Sequence, residues 1–318
     1  MEESAWRRHR LANGLQSLLL LAFLGAFLGL VGWLLWGREG LVSLAVTLPF
    51  LLLLNPAVNP RLLMRLYGAR RLREADAPGL LATVAELARR AGLEKPPALF
   101  YIPTPLINAF STGRRDDAVV AVSAGLLRTL TPRELAAVLA HEISHIRADD
   151  TWVMGIADLF SRLTSVFSLF GQFLLLINLP LLLVQQTPIN WAAIALLIFA
   201  PTLSALAQLG LSRTREYDAD LNAVQLTGDP QALASALVKV DRYNGNYLEQ
   251  ILLPGRGVPE PSWLRTHPPT EERIRRILAL GKTASARPLP LPGSGGDAAD
   301  SFLPPSARPR WHLHGLWY

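Results

Sequence analysis

Four stretches of the 318-residue chain carry no charged side chain: residues 15–36, 41–58, 163–184 and 191–211. A helix of about 20 apolar residues crosses the ~30 Å hydrocarbon core of a bilayer. A water-soluble core would have to bury all four on every side, which a chain of this size does not do. Pro49, Pro180 and Pro201 lie inside the stretches, and Asn55 and Pro56 close the second. The expected fold class is therefore a mainly α membrane protein. It has four transmembrane helices in two hairpins, 15–58 and 163–211, and the polar remainder forms a separate domain.

Arg7, Arg8 and Arg10 precede the first stretch as they would in a signal peptide. The apolar part exceeds the usual 7–15 residues of such a peptide and no small-residue cleavage site follows Trp36, so an uncleaved anchor is expected. Cysteine is absent, which excludes disulfides and fits a domain facing the cytosol. The formal charge is +6, and Lys95, Lys239 and Lys282 are the only lysines among 31 basic residues. The arginines gather beside apolar stretches: Arg61, Arg65, Arg70, Arg71 and Arg73 after the second, Arg213 and Arg215 after the fourth. That placement matches the positive-inside rule and anionic headgroups. No aromatic-basic interleaving or finger spacing supports nucleic-acid binding. The connection between the first two stretches carries only Arg38 and Glu39, and residues 185–190 carry no charge. Both short loops are expected outside, with both termini and the polar segments in the cytoplasm.

The first polar segment begins with a helical pattern after Asp76 that ends at Gly92. Three strand-like patches follow, at 98–102, 107–111 and 118–122. Thr131-Pro132-Arg133-Glu134 is a capping box with proline at the first helical position, so a helix starts there. Two turns later it carries His141-Glu142-Ile143-Ser144-His145, an H-E-x-x-H motif. The two histidines share one helix face and reach one Zn²⁺, while Glu142 flanks the metal where a base must stand. The competing reading is a pair of surface histidines beside a solvated glutamate.

A catalytic zinc site needs a third protein ligand and one open position. Positions 148 and 151 are Ala and Thr, which excludes the extended three-histidine motif. A carboxylate remains, and Glu216 is the best candidate because Asp220 follows at i+4 and can fix a histidine tautomer. Alternatively, both carboxylates pair with Arg213 and Arg215 at the membrane surface. Two apolar stretches separate His145 from Glu216, an even number, so the two residues emerge on one side.

In these features the chain resembles the HtpX-type membrane zinc metallopeptidases, which are related to the CAAX prenyl proteases. The resemblance covers roughly residues 10–281. It rests on H-E-I-S-H at 141–145, S-R-T-R-E-Y-D-A-D at 212–220, N-A-F at 108–110, H-P-P-T-E-E-R-I at 267–274, and the order of spans and motifs. It implies one Zn²⁺ per subunit on His141, His145 and Glu216, with Glu142 as base and Asp220 behind the ligands. It implies an α+β zincin (gluzincin) domain, split into 59–162 and 212–281, that cleaves membrane polypeptides at the cytoplasmic face of the bacterial inner membrane in quality control. Asn108, Ala109 and Phe110 resemble the family's substrate-binding edge strand. His267 resembles a histidine near the cleft that donates to the oxyanion, or else it is a helix-entry residue before Pro268. Asp150 either caps the motif helix or contacts lipid headgroups. Residues 282–318, rich in Pro and Gly, are expected to be a disordered tail. The alternatives are a prenyl-peptide processing protease and a non-catalytic zinc-binding membrane scaffold; nothing in the sequence speaks to oligomeric state.

Overall fold

The computed structural model describes residues 2–53, 60–184, 191–251, 269–281 and 288–290. The chain divides into two compact units, one formed by residues 1–58 and 152–215, the other by 59–151 and 216–318. His267 and the loop 185–190 lie outside the described residues.

The first unit is helical. Helix α1 (Glu2–Leu53) holds both of the first two apolar stretches and departs from helical geometry at Gly37 (φ 60°, ψ −140°), a conformation open to glycine alone among common residues. Beyond it the chain folds back on itself. Gly29 faces Leu41, Gly32 faces Leu44, and a side chain at Gly40 would collide with the carbonyl oxygen of Gly32. The hairpin thus turns inside α1, at Gly37. Among the described residues three helices are long and apolar enough to cross a membrane: residues 14–50 of α1, residues 150–177 of α6, and α7 (Trp191–Thr227). Three such helices stand where four separate ones are expected, because α1 carries both of the first two apolar stretches in two helical arms that meet at Gly37. Helix α6 (Asp150–Val184) starts well before the apolar stretch at 163.

Leu24, Leu28, Val31, Ala157, Ala200 and Leu211 are buried where these helices meet. Outward-facing residues are apolar as well: Leu169, Leu176 and Leu206 are 69%, 67% and 59% exposed. An apolar exterior over an apolar interior is stable against lipid and not against water. The chain is a multi-pass membrane protein.

The second unit is a small α+β domain. It comprises α2 (Pro60–Leu66), β1 (Arg70–Arg71), α3 (Pro78–Ala91), β2 (Ala98–Ile102), β3 (Ala109–Thr112), β4 (Val119–Ser123), α4 (Ala124–Thr129), α5 (Pro132–Arg147), the end of α7, α8 (Pro230–Ile251) and α9 (Thr270–Gly281). The sheet has order β1-β2-β4-β3, one strand more than the three expected. The added β1 is two residues long, too short to show alternation. β2 pairs with β4 in parallel, and β3 is an edge strand antiparallel to β4, with Ser111 opposite Val120. Strand alternation sends Phe110 into a cluster with Met64, Ile102, Val119 and Ala121, and Ser111 to the other face. On that face Leu80, Leu87, Val120, Val122, Leu139, Ile143 and Ile146 form the main core.

Helix α5 begins as its capping box requires. Thr131 accepts from the Glu134 backbone N–H, and the Glu134 carboxylate accepts from that of Thr131. Glu134 also receives Lys239 Nζ and Ser235 Oγ from α8, both at 2.6 Å. Burial opposes its charge, but Lys239, Ser235 and Thr131 outweigh it and bring its pKa from 4.5 down to about 2. The pin's contribution is complete above pH ~4.5 and disappears as pH falls through ~2. Glu134→Ala should cost about 1–2 kcal/mol at neutral pH, read by thermal or denaturant unfolding in detergent, because it opens a helix cap and removes the partner of a half-exposed lysine. The cost should shrink in acid.

Part of the expected tail is anchored. The Leu289 N–H donates to Thr227 O at 3.0 Å, and Arg90 donates to Leu226 O and Pro288 O at 2.8 and 3.2 Å. Leu289 packs against the main core.

Candidate metal centre

Helix α5 presents His141 and His145 one turn apart, their rings at 90° with centroids 4.6 Å apart. Their Nε2 atoms converge to 3.1 Å. From α7, Glu216 brings Oε2 to 3.5 Å from His141 Nε2 and Oε1 to 3.6 Å from His145 Nε2. One donor atom from each of the three residues lies within 4.8 Å of the others, the separation that permits a shared ion. A tetrahedral ion with bonds of ~2.0–2.1 Å holds its ligand atoms about 3.3 Å apart. Two imidazole nitrogens and a carboxylate at these spacings fit Zn²⁺.

Each histidine is oriented from behind. Asp220, one turn beyond Glu216, places Oδ1 3.1 Å from His141 Nδ1; the approach is close but off the line of a good hydrogen bond. Asp150 Oδ2 lies 2.7 Å from His145 Nδ1. Asp150 is 4% exposed, so it faces the histidine, not lipid headgroups. Its position follows from the break between helices: Asp149 takes φ 53°, a left-handed conformation that aspartate tolerates. The break turns the chain so that the first residue of α6 points back at α5. Arg115 steadies it from the β3–β4 loop, 3.1 Å from Asp149.

Arg273 on α9 grips the carboxylates of α7. It donates to both oxygens of Asp220 at 2.8 and 2.7 Å and lies 3.2 Å from Glu216 Oε2. Its bidentate fork is the geometry that fixes a carboxylate's plane. The buried carboxyl groups of Asp220, Glu216 and Glu142 thus act on one buried guanidinium, and that of Asp150 lies on His145. The charge balance calls for a further cation. Burial opposes charge on His141, yet Asp220 and Glu216 carry its pKa up to about 10, so the site attracts a proton where an ion would sit. His145 is shifted the other way, lowered by burial and by its neighbour His141.

Glu142 lies on the same helix, rotated away from the two histidines, and is 8% exposed. Its Oε2 accepts a hydrogen bond from Ser111 Oγ of β3 at 2.8 Å. Asn108 precedes that strand, with its N–H 3.0 Å from Ser123 Oγ. The Phe110 side chain is in the core beside Tyr67, so β3 can offer a ligand its main-chain edge, not that ring.

Sequence reasoning did not assign Asp150 to His145 and overlooked Arg273 and Ser111. Arg273 stands inside the quoted stretch at 267–274, which was the one available signal. Ser111 is two residues beyond Ala109, on the strand face that alternation turns toward α5.

An H-E-x-x-H helix, a glutamate from a later helix and apolar spans on either side define a membrane metallopeptidase. Residues 74–280 match the family model described as Peptidase family M48. A "Protease HtpX homolog" of Pyrococcus furiosus is 38% identical over 276 residues, covering 82% of this chain and 94% of that protein. A second, from Paraburkholderia phytofirmans, is 34% identical over 284 residues, covering 85% and 98%. Among solved structures, that of S. mikatae Ste24p matches with TM-score 0.46 and 21% identity, covering 85% of this chain and 66% of that one. The chain belongs to Peptidase family M48, as a homolog of the HtpX proteases.

Proposed function

We propose that the chain is a zinc-dependent endopeptidase of the cytoplasmic membrane that cleaves unfolded or damaged membrane polypeptides at the cytoplasmic face. The three-donor cluster of His141, His145 and Glu216, with Glu142 held beside it, carries this reading. Held by these three, Zn²⁺ supplies Lewis acidity, which acidifies water and polarises the scissile carbonyl. Glu142 takes a proton from the attacking water as its oxygen bonds to the carbonyl carbon. With Oε2 occupied by Ser111, Oε1 is the oxygen that faces the water. When the C–N bond breaks, Glu142 returns the proton to the leaving nitrogen. Asp150, hydrogen-bonded to His145 Nδ1, and Asp220, beside His141 Nδ1, would orient the two imidazoles as ligands through Nε2.

Substrate enters as an added strand. Among the described residues β3 is paired on one side only, by β4, and its sequence runs Ala109–Thr112 beside the metal centre's base. An extended peptide bonded to that edge brings its backbone to Glu142 with little dependence on side chains. Such recognition suits unfolded chains of varied sequence. The inward orientation is supported by Arg61, Arg65, Arg213 and Arg215 flanking the apolar stretches. His267 retains its two assignments, oxyanion donor or helix entry.

The purified protein in detergent should cleave casein and an unfolded membrane protein, lose that activity to a chelator and regain it with Zn²⁺. Cleavage confined to a prenylated C-terminal peptide would replace this reading with the prenyl-peptide one. Full activity in the presence of chelator would end both.

A further inference from the structure

Among the groups around the metal centre, Ser111 has no part in the family's motif as the sequence displays it, yet it makes the one hydrogen bond described for the Glu142 side chain, at 2.8 Å. Both residues are buried, at 6% and 8% exposed, so water does not compete for the contact. They come from different elements, 31 residues apart: Ser111 from the edge strand, Glu142 from the motif helix. Ser111 is held in turn by the antiparallel register of β3, opposite Val120 of the central strand β4.

Glu142 would otherwise have a freely turning carboxyl close to a strong competitor. Arg273 lies in the same buried site and feels the Glu142 charge. An unanchored carboxylate swings toward such a cation, and a base displaced by about 1 Å loses up to ~10²-fold in rate. A single neutral donor on one oxygen holds the plane of the group and leaves the second oxygen for water. The hydroxyl also ties the base to the strand whose open edge is offered to substrate. A peptide that pairs with β3 is thereby registered against the group that serves its cleavage.

From this geometry we infer that Ser111 is a positioning residue for the hydrolytic reaction, orienting Glu142 from the substrate-binding strand. The inference rests on the assignment of Glu142 as base. Ser111→Ala is smaller than the native residue and keeps the strand's pairing, so it should fold and hold zinc in the parent's stoichiometry. Its kcat on an unfolded polypeptide should fall about tenfold with KM within twofold of the parent. Ser111→Thr, which keeps the hydroxyl, should restore kcat to within about threefold. A kcat for Ser111→Ala within twofold of the parent overturns the inference. So does a loss expressed in KM alone, a loss of zinc, or a folded threonine variant no better than alanine. Glu142→Gln is measured alongside. An active Glu142→Gln removes the base assignment itself, whereas an inactive one with an unchanged Ser111→Ala removes Ser111 alone.

Discussion

Glu142→Gln is expected to bind zinc as the parent does and to cleave polypeptide at least 10³-fold more slowly. The amide is isosteric with the carboxylate and still accepts the Ser111 hydroxyl through its carbonyl oxygen, so the pocket keeps its shape. It cannot accept a proton at neutral pH. General acid–base catalysis contributes ~10²–10⁴-fold, and here one group serves both attack and departure. The residue is buried beside the ligands and is not one of them, which separates chemistry from metal binding. Metal analysis and single-turnover cleavage on one preparation read both quantities. Loss of zinc in this variant would move Glu142 into the ligand set.

Glu216→Ala has the opposite signature, losing zinc first and activity as a result. Removal of this carboxylate leaves two imidazole donors, one short of a catalytic zinc site. It also takes away a charge that Arg273 contacts at 3.2 Å, so a guanidinium would be left facing the metal position. Zinc content after dialysis against a weak chelator should fall from one per chain to near zero. Asp150→Asn and Asp220→Asn keep all three ligands and alter only what holds the imidazoles, so zinc affinity should drop by about 10–100-fold in each. A zinc-replete Glu216→Ala would exclude that residue from the ligands.

The candidate ligands set by local spacing are legible in the sequence. His141 and His145 declare themselves through i, i+4 placement on a capped helix, and Glu216 through Asp220 at i+4, with the even number of apolar stretches between it and His145 in agreement. What escaped depends on how chain breaks and packing direct a side chain. Asp150 reaches His145 only because Asp149 adopts a left-handed conformation between two helices. Arg273 reaches Asp220 across 53 residues, and no periodicity reports such a meeting. The reversal expected between the first two apolar stretches turns on one non-helical residue, Gly37, and Gly32 and Gly40 let the two backbones approach. Of the tail at 282–318 only residues 288–290 are described, and there Leu289 packs against the core while Arg90 donates to Pro288 O, a pairing that composition does not report.

X-ray absorption at the zinc edge of the purified protein tests the central claim most directly. The account requires two imidazole nitrogens and one carboxylate oxygen from the chain at ~2.0–2.2 Å, with the carboxylate contribution gone in Glu216→Ala. A shell with a single imidazole, or one that Glu216→Ala leaves unchanged, would contradict it.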